Sequence, residues 1–178
     1  MYLKTDRLFL REFVFDDWTA VHAYQSDPLY LRYYHWLDRS EADVREFVQM
    51  FIDWQKERPR TKFQLAVIHR ADNRLIGNCG IRINDPERRE ANIGYELDSR
   101  YWNQGYATEA ARAILQFGFS ELNMHRIWAK CVADNAGSAR VLEKLGMRLE
   151  ARELKKEFIK NAWRDHLIFA IHERSWLG

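Results

Sequence analysis

The chain has 178 residues, which fits one domain of typical size. Hydrophobic residues make up 47% and charged residues 30%, a balance that excludes a disordered or fibrous chain. The net charge of +2 is too small to predict a nucleic-acid-binding surface. The start of the chain lacks the apolar core of a signal peptide, and no apolar run approaches the roughly 18 residues that cross a membrane. We therefore expect one cytoplasmic domain over residues 1–178, with neither nucleic acid nor membrane as a partner.

The first half of the chain predicts a strand, two helices and a hairpin. Residues 3–13 alternate as a strand does, and residues 16–25 form a short helix with an acidic start. Asp27 and Pro28 end or restart that helix. The clearest helix runs from Ser40 to about Glu57, because a capping-box start precedes apolar residues at helical spacing. Two strands of a hairpin follow, at residues 63–68 and 75–83.

The second half alternates strands with helices before a final hairpin. Its predicted elements are a strand at 90–97, a helix at 108–122, a strand at 126–132, a helix from Asn135 to Gly146, and strands at 147–158 and 163–172. No break in composition divides this order, so we expect one α/β (α+β) fold.

Cysteine and histidine give no sign of a metal or a disulfide. Cys79 and Cys131 lie in apolar, strand-like runs, which predicts two buried free thiols. The six histidines lack the spacing of a metal site, and we expect no metal.

The segment from Tyr95 to Ala110 joins a strand to a helix through a short loop that contains Gly105. Glycine lets the chain turn tightly and lets a ligand approach the backbone. The amides at the start of the helix have no partner within the helix, and such donors bind anionic phosphate with the help of the helix dipole. The residues alone fit a phosphate site or a plain strand–helix turn.

Four motifs, in order along nearly the whole chain, resemble the GNAT superfamily of N-acetyltransferases. The run from Trp102 to Ala110 is similar to its acetyl-CoA-binding loop. Residues 5–11, 75–80 and 135–147 are similar to the opening strand, central hairpin and second cofactor motif of the branch that contains ribosomal-protein N-terminal acetyltransferases of the RimJ/RimL type. The resemblance implies a central mixed, mostly antiparallel sheet, flanked by helices and splayed between the fourth and fifth predicted strands. It also implies acetyl-CoA as cosubstrate.

The resemblance also assigns the cofactor contacts. Pantetheine lies in the splay and pairs with the strand that ends near Leu97, as an added strand would. Backbone groups of Leu97 and Ser99 hold it, Asn135 hydrogen-bonds it, and Arg140 reaches the phosphates. The pyrophosphate is held by backbone amides of Gln104, Gly105, Ala107 and Thr108. From the residues alone, Asn135 is also a simple N-cap and Arg140 a solvated helix residue.

The implied reaction is attack of a neutral amine on the thioester carbonyl, which needs a proton acceptor for the amine and a proton donor for the thiolate. Ser138 lies where the RimJ/RimL-type branch places the donor. Glu157 lies where that branch has a glutamate proposed as base, and it ranks first. Glu96 ranks second. From the residues alone, Ser138 is also an ordinary serine in the first turn of a helix, and Glu157 is also a solvated carboxylate on a strand.

Two residues depart from the family pattern, one in the cofactor loop and one on the predicted strand at 90–97, and one aromatic segment concerns the acceptor. Asn103 replaces the usual first glycine of the loop, and Asn92 stands where many members have a glutamate base. The segment from Tyr30 to Trp36 is either a core flap or an acceptor pocket or subunit contact, with Tyr33, Trp36 and Asn92 as candidate acceptor contacts.

These features predict an acetyl-CoA-dependent N-acetyltransferase that acts on a primary amine. The expected acceptor is the α-amine of a protein or peptide N-terminus. The alternatives are a small-molecule amine, such as a polyamine, amino acid or amino sugar, and a non-catalytic CoA-binding module. The sequence is compatible with a monomer or a homodimer.

Overall fold

A computed structural model describes residues 1–176, in which an eight-stranded sheet is flanked by helices. The strands are β1 (Tyr2–Lys4), β2 (Leu8–Glu12), β3 (Lys62–His69), β4 (Arg74–Asp85), β5 (Glu90–Leu97), β6 (Arg126–Val132), β7 (Arg148–Ile159) and β8 (Ala162–His172). The helices are α1 (Trp18–Gln25), α2 (Pro28–Leu31), α3 (Glu41–Trp54), α4 (Tyr106–Ser120), α5 (Ala136–Lys144) and α6 (Glu173–Trp176). The strand order is β1-β2-β3-β4-β5-β6-β8-β7. The predicted α/β (α+β) class with a mixed, mostly antiparallel sheet is confirmed.

The sheet opens between β5 and β6. These strands are the only parallel neighbours in the described chain, and α4 connects them. They pair at three positions alone, from Glu90 with Arg126 to Asn92 with Trp128. The remainder of β5, to Leu97, therefore has a strand on one side only, where it pairs with β4. This confirms the predicted splay.

Helices cover both faces of the sheet and form two apolar clusters. One cluster joins α4 and α5 to the sheet, and includes Ile81, Ile114 and Ile127. The other joins α1, α2 and α3 to the opposite face, and includes Val21, Val48 and Phe51. The face of β5 to which a side chain points therefore decides which group of helices it meets.

Most predicted boundaries lie within three residues of those observed, and four differences stand out. Helix α3 ends at Trp54 rather than at about Glu57. The first predicted strand is two strands, because Thr5 and Leu8 form a turn in which the Leu8 amide donates to Thr5 Oγ1 at 3.0 Å. Helix α4 begins at Tyr106 rather than Thr108. Helix α6 has no counterpart in the prediction. The predicted end of α5 is confirmed, with Gly146 at φ +80°.

No helix within residues 1–176 is long and apolar enough to cross a membrane. Over the same residues, no group of three His, Cys, Asp or Glu side chains is arranged to hold a metal ion. Both cysteines are buried and free, as predicted.

Candidate active site

The start of α4 presents free amides beside the splay. Its N-cap is Gly105, which has φ +84° and no side chain to accept a bond from the helix. The first bond of the helix runs from the Glu109 amide to the Gly105 carbonyl, 3.0 Å. The amides of Tyr106, Ala107 and Thr108 therefore remain available to an anion.

Arg7 adds a positive charge to this loop, and sequence reasoning did not assign it to the site. Its guanidinium donates to the Gln104 carbonyl at 3.0 Å and lies 4.3 Å from the centre of the Tyr106 ring. Nη2 is 3.3 Å from the point that a Cβ on Gly105 would occupy. Arg7 is held there by Glu109, whose Oε2 accepts from Nε at 2.7 Å. Burial raises the pKa of Glu109, but bonds from Thr5 and Arg7 outweigh it and the net pKa is lowered.

The backbone at the end of β5 is already partly engaged. The Leu97 carbonyl accepts from Trp102 Nε1 at 2.7 Å. The Ser99 carbonyl accepts from the Trp102 amide at 3.1 Å, and the Ser99 hydroxyl donates to Asp27. These contacts fix the loop between β5 and α4, and each of the two carbonyl oxygens keeps a second lone pair that a ligand can use.

On the other side of the splay, Asn135 caps α5. Its Oδ1 accepts from the Ser138 amide at 3.1 Å, which confirms the predicted N-cap. Arg140 is exposed on the same helix and donates to the Ala136 carbonyl at 3.2 Å.

Ser138 is tied across the splay to Tyr95, a residue that sequence reasoning missed. The Tyr95 hydroxyl lies 2.9 Å from Ser138 Oγ and 3.0 Å from the Ser138 carbonyl oxygen. Burial raises the pKa of Tyr95, so its hydroxyl stays protonated near neutral pH. Burial also raises the pKa of the nearby Cys131 thiol, against a bond from Ser138 that lowers it. Two hydroxyl groups in contact therefore lie between β5 and α5.

Glu96 points to the opposite face of β5 and is held by neutral donors. Its Oε2 accepts from Tyr24 Oη at 3.1 Å, Gln25 Nε2 at 3.1 Å and Asn78 Nδ2 at 2.9 Å. Burial raises the pKa of Glu96, and the bonds from Gln25 and Asn78 offset only part of that effect. Glu96 also lines a cavity of about 220 Å³. The carboxylate is thus placed to accept a proton.

Glu157 lies apart from Glu96, on β7 at the outer edge of the sheet. Its Oε2 is 2.8 Å from Nε2 of the buried His166, and its Oε1 contacts His35 Nε2. Both histidines were missed, because they are distant from Glu157 in the sequence or on another strand. The structure therefore does not bring Glu157 and Glu96 into one cluster.

The aromatic segment before α3 contributes a stack of rings. Tyr30, Tyr34 and Trp36 stack in succession, with centroids 4.7 Å and 4.9 Å apart, and Tyr34 lines the cavity. Tyr33 instead donates to the Asp134 carbonyl at 3.3 Å, beside the end of β6. Neither Tyr33 nor Trp36 lines the cavity, although Trp36 Nε1 is buried without a partner in the described chain. Asn92 Oδ1 is likewise buried without a partner there.

The site combines an open strand edge, free helix amides and partly buried hydroxyl and carboxyl groups, an arrangement that fits a transferase that binds coenzyme A. Residues 7–148 match the family model of the acetyltransferase (GNAT) domain. The chain is 38% identical over 176 residues to YnaD of Bacillus subtilis (strain 168), described as an uncharacterized N-acetyltransferase, with 99% of each chain covered. The chain belongs to the GNAT family and is an acetyl-CoA-dependent N-acetyltransferase.

Solved structures agree with this assignment. An acetyltransferase (GNAT family) from Bacillus anthracis shares 37% identity and a TM-score of 0.84, covering 98% of this chain and 99% of that one. Two structures of lower identity share the fold. One is RimL, a ribosomal L7/L12 α-N-protein acetyltransferase in complex with coenzyme A (21% identity, TM-score 0.85, 97% and 98% covered). The other is a Vibrio cholerae spermidine N-acetyltransferase with CoA and spermine (19%, 0.82, 98% and 100%).

Proposed function

We propose that the enzyme acetylates the α-amine of a protein or peptide N-terminus. The observation that carries the proposal is the placement of Glu96, a partly buried carboxylate with a raised pKa on the wall of a small cavity beside the splayed strand. At pH 7.5 an α-amine of pKa about 7.8 is roughly one-third neutral, whereas a lysine of pKa about 10.4 is roughly 0.1% neutral. One weakly basic carboxylate is sufficient for the first and poorly matched to the second.

The proposed roles of the other residues follow the same geometry. Backbone amides of Gln104, Gly105, Ala107 and Thr108 hold the pyrophosphate, with Arg7 beside them and Arg140 reaching the phosphates from α5. Pantetheine lies along β5 at Leu97 and Ser99 and meets Asn135 on the other side of the splay. Acetyl-CoA supplies the acetyl group as a thioester.

In the proposed reaction the amine nitrogen forms a bond to the acetyl carbonyl carbon, and the bond from that carbon to sulfur breaks. Glu96 takes the proton that the amine loses. Ser138, which the Tyr95 hydroxyl contacts, gives a proton to the departing thiolate. Glu157 is the competing base. Its contacts with His35 and His166 offer a path by which a proton taken from the amine leaves the carboxylate.

A polyamine acceptor is the second candidate, because a spermidine N-acetyltransferase shares the fold. The charges in the cavity argue against it. Arg82 lines the same cavity as Glu96, so its charge would repel a second ammonium group.

The test compares kcat/KM for peptides with a free N-terminus against the same peptides with a blocked N-terminus and a free lysine. We expect the free N-terminus to be used at least about tenfold better, because its amine is far more often neutral. Equal or better use of the blocked peptides would refute the α-amine assignment. Activity on spermidine with silence on both peptide sets would establish the polyamine alternative.

A further inference from the structure

The cavity beside Glu96 has a floor of two strands and an aromatic roof. On the floor, three cross-strand pairs of β4 and β5 follow one another: Asn78 with Glu96, Gly80 with Gly94, and Arg82 with Asn92. The roof comes from α3 and the aromatic segment. Its lining side chains are Tyr34, Phe47, Met50, Phe51 and Trp54.

The floor is open at Gly94, whereas the Gln64 side chain and the Phe63 carbonyl fill the space above Gly80. A Cβ on Gly94 would meet only one atom within 4 Å, Arg82 Nη1 at 3.3 Å. The Arg82 guanidinium therefore extends along the floor toward Gly94, which lies two residues from Glu96 on β5. Arg82 and Glu96 both line the cavity, and burial lowers the pKa of Arg82 while the charge of Glu96 raises it, so a cation and a carboxylate share this space.

A chain of hydrogen bonds joins these two charges. Arg82 Nη2 donates to Gln64 Oε1 at 2.6 Å, Gln64 Nε2 donates to Asn78 Oδ1 at 2.6 Å, and Asn78 Nδ2 donates to Glu96 at 2.9 Å. Every donor in the chain points toward Glu96. This arrangement fixes the guanidinium in place through Nη2 and leaves Nη1 without a hydrogen bond within residues 1–176.

Arg82 has no carboxylate within ion-pairing distance in the described part of the chain. It is partly buried, lies 5.6 Å from the centre of the Trp54 ring, and lines the cavity. Burial lowers its pKa, but a guanidinium remains charged at neutral pH. The charge of Glu96 offsets part of the cost of burying the Arg82 cation, and a carboxylate that binds the guanidinium directly through two parallel bonds offsets more of it.

We propose that this cavity receives the side chain of the acceptor's first residue and that Arg82 binds a carboxylate on it. The inference rests on the proposed function, since it names the class of amine that the enzyme takes. The acceptor's α-amine lies beside Glu96 and its side-chain carboxylate beside Arg82. The aliphatic part of that side chain lies between them, against Phe47, Phe51 and Trp54. The volume of about 220 Å³ is smaller than the roughly 300–1,000 Å³ of a drug-sized pocket and suits one side chain.

Three peptides that differ only in their first residue test the proposal. They begin with Glu, Gln and Lys, and free glutamate is included because it carries the same carboxylate from another source. The variants are Arg82→Gln and Arg82→Glu, and the control is Arg88→Gln. Arg88 lies in the turn after β4, with 77% of its side chain exposed.

For the wild type and the control we expect kcat/KM to be about tenfold or more higher for the Glu peptide than for the Gln peptide, and lowest for the Lys peptide. Arg82→Gln should abolish the preference for Glu over Gln. Arg82→Glu should favour the Lys peptide. Unchanged affinity for CoA would show that the variants are folded.

A purely structural role for Arg82 predicts a different result. The variants would then lose activity equally on all three peptides, and an unchanged order of preference would overturn the proposal. If the wild type acetylates none of the peptides, the proposed function fails instead. Better use of free glutamate than of the Glu peptide, lost in Arg82→Gln, would keep the role of Arg82 and contradict the peptide assignment.

Discussion

Glu96 and Glu157 are both conceivable bases, but their surroundings differ. Glu96 accepts bonds from a phenol and two amides, all neutral, and burial raises its pKa. Glu157 contacts two imidazoles at the outer edge of the sheet. A base that works on an amine near neutral pH benefits from a raised pKa, and Glu96 has one.

The pH dependence of kcat/KM separates the two carboxylates. As pH falls through the raised pKa of Glu96, the carboxylate becomes protonated and can no longer accept the amine's proton. Glu96→Gln should therefore lower kcat/KM about 10²-fold and remove this limb of the profile. Glu157→Gln should keep the limb and lose less activity. If Glu157→Gln loses more, most strongly at low pH and less above pH 8, Glu157 is the base.

The substitution Glu96→Gln should also change the stability of the folded chain. The pKa of Glu96 is raised in the folded chain, so the folded state holds its proton to a higher pH than the unfolded state. Ionisation as pH rises through the folded pKa therefore costs stability. Glu96→Gln should gain stability relative to the wild type over that rise, measured as the difference in denaturant midpoint at several pH values. A difference that does not change with pH would contradict the partly buried, ionising Glu96 described above.

Ser138 and Tyr95 are expected to act together on the leaving thiolate. Ser138→Ala should lower kcat about 10²-fold with little change in acetyl-CoA affinity, because it removes the proton donor. Tyr95→Phe removes only the hydroxyl that contacts Ser138, so a smaller loss is expected, about tenfold. Rapid-quench measurement of the transfer step checks both. A wild-type rate in Ser138→Ala would make Ser138 an ordinary first-turn serine.

At the level of elements, we expect the start of α4 to bind the phosphates of coenzyme A. Gly105→Val should abolish measurable CoA binding in calorimetry, because a β-branched side chain would occupy the space beside Arg7 where phosphate meets the helix amides. Gly146→Val is the matched control. Gly146 has a similar φ, +80°, but lies after α5, so this variant should lose stability and still bind CoA. Equal affinity in Gly105→Val and the wild type would place the phosphate site elsewhere.

The strands and caps of this region could be predicted from the sequence because they depend on local pattern. The predicted strands at 90–97 and 126–132 match β5 and β6, and a side-chain cap with a terminal glycine predicted the bounds of α5. The contact of Tyr95 with Ser138 could not be predicted in the same way. The two residues are 43 positions apart, and they meet only because β5 and β6 separate. The series of hydrogen bonds from Arg82 to Glu96 involves residues on three strands, and a periodic pattern in the sequence cannot predict it either.

For the whole molecule, the residues proposed to act on the thiolate and those proposed to act on the acceptor lie on opposite faces of the sheet. Ser138 and Tyr95 meet on the face covered by α4 and α5, while Glu96, Arg82 and the cavity lie on the face covered by α1 and α3. The opened strand β5 contributes to both. A donor bound along the strand edge and an acceptor held in the cavity would therefore approach each other at β5, which is the geometry that direct transfer requires.

The most direct test uses one peptide that has both a free N-terminus, beginning with Glu, and an internal lysine. The peptide is incubated with the enzyme and isotope-labelled acetyl-CoA, and fragmentation in a mass spectrometer locates the label. Both amines compete within one molecule, so differences in peptide binding cancel. The proposed function predicts one labelled acetyl group on the α-amine of the first residue. Label on the lysine side chain, or a peptide that stays unlabelled while acetyl-CoA is consumed with spermidine, would contradict it.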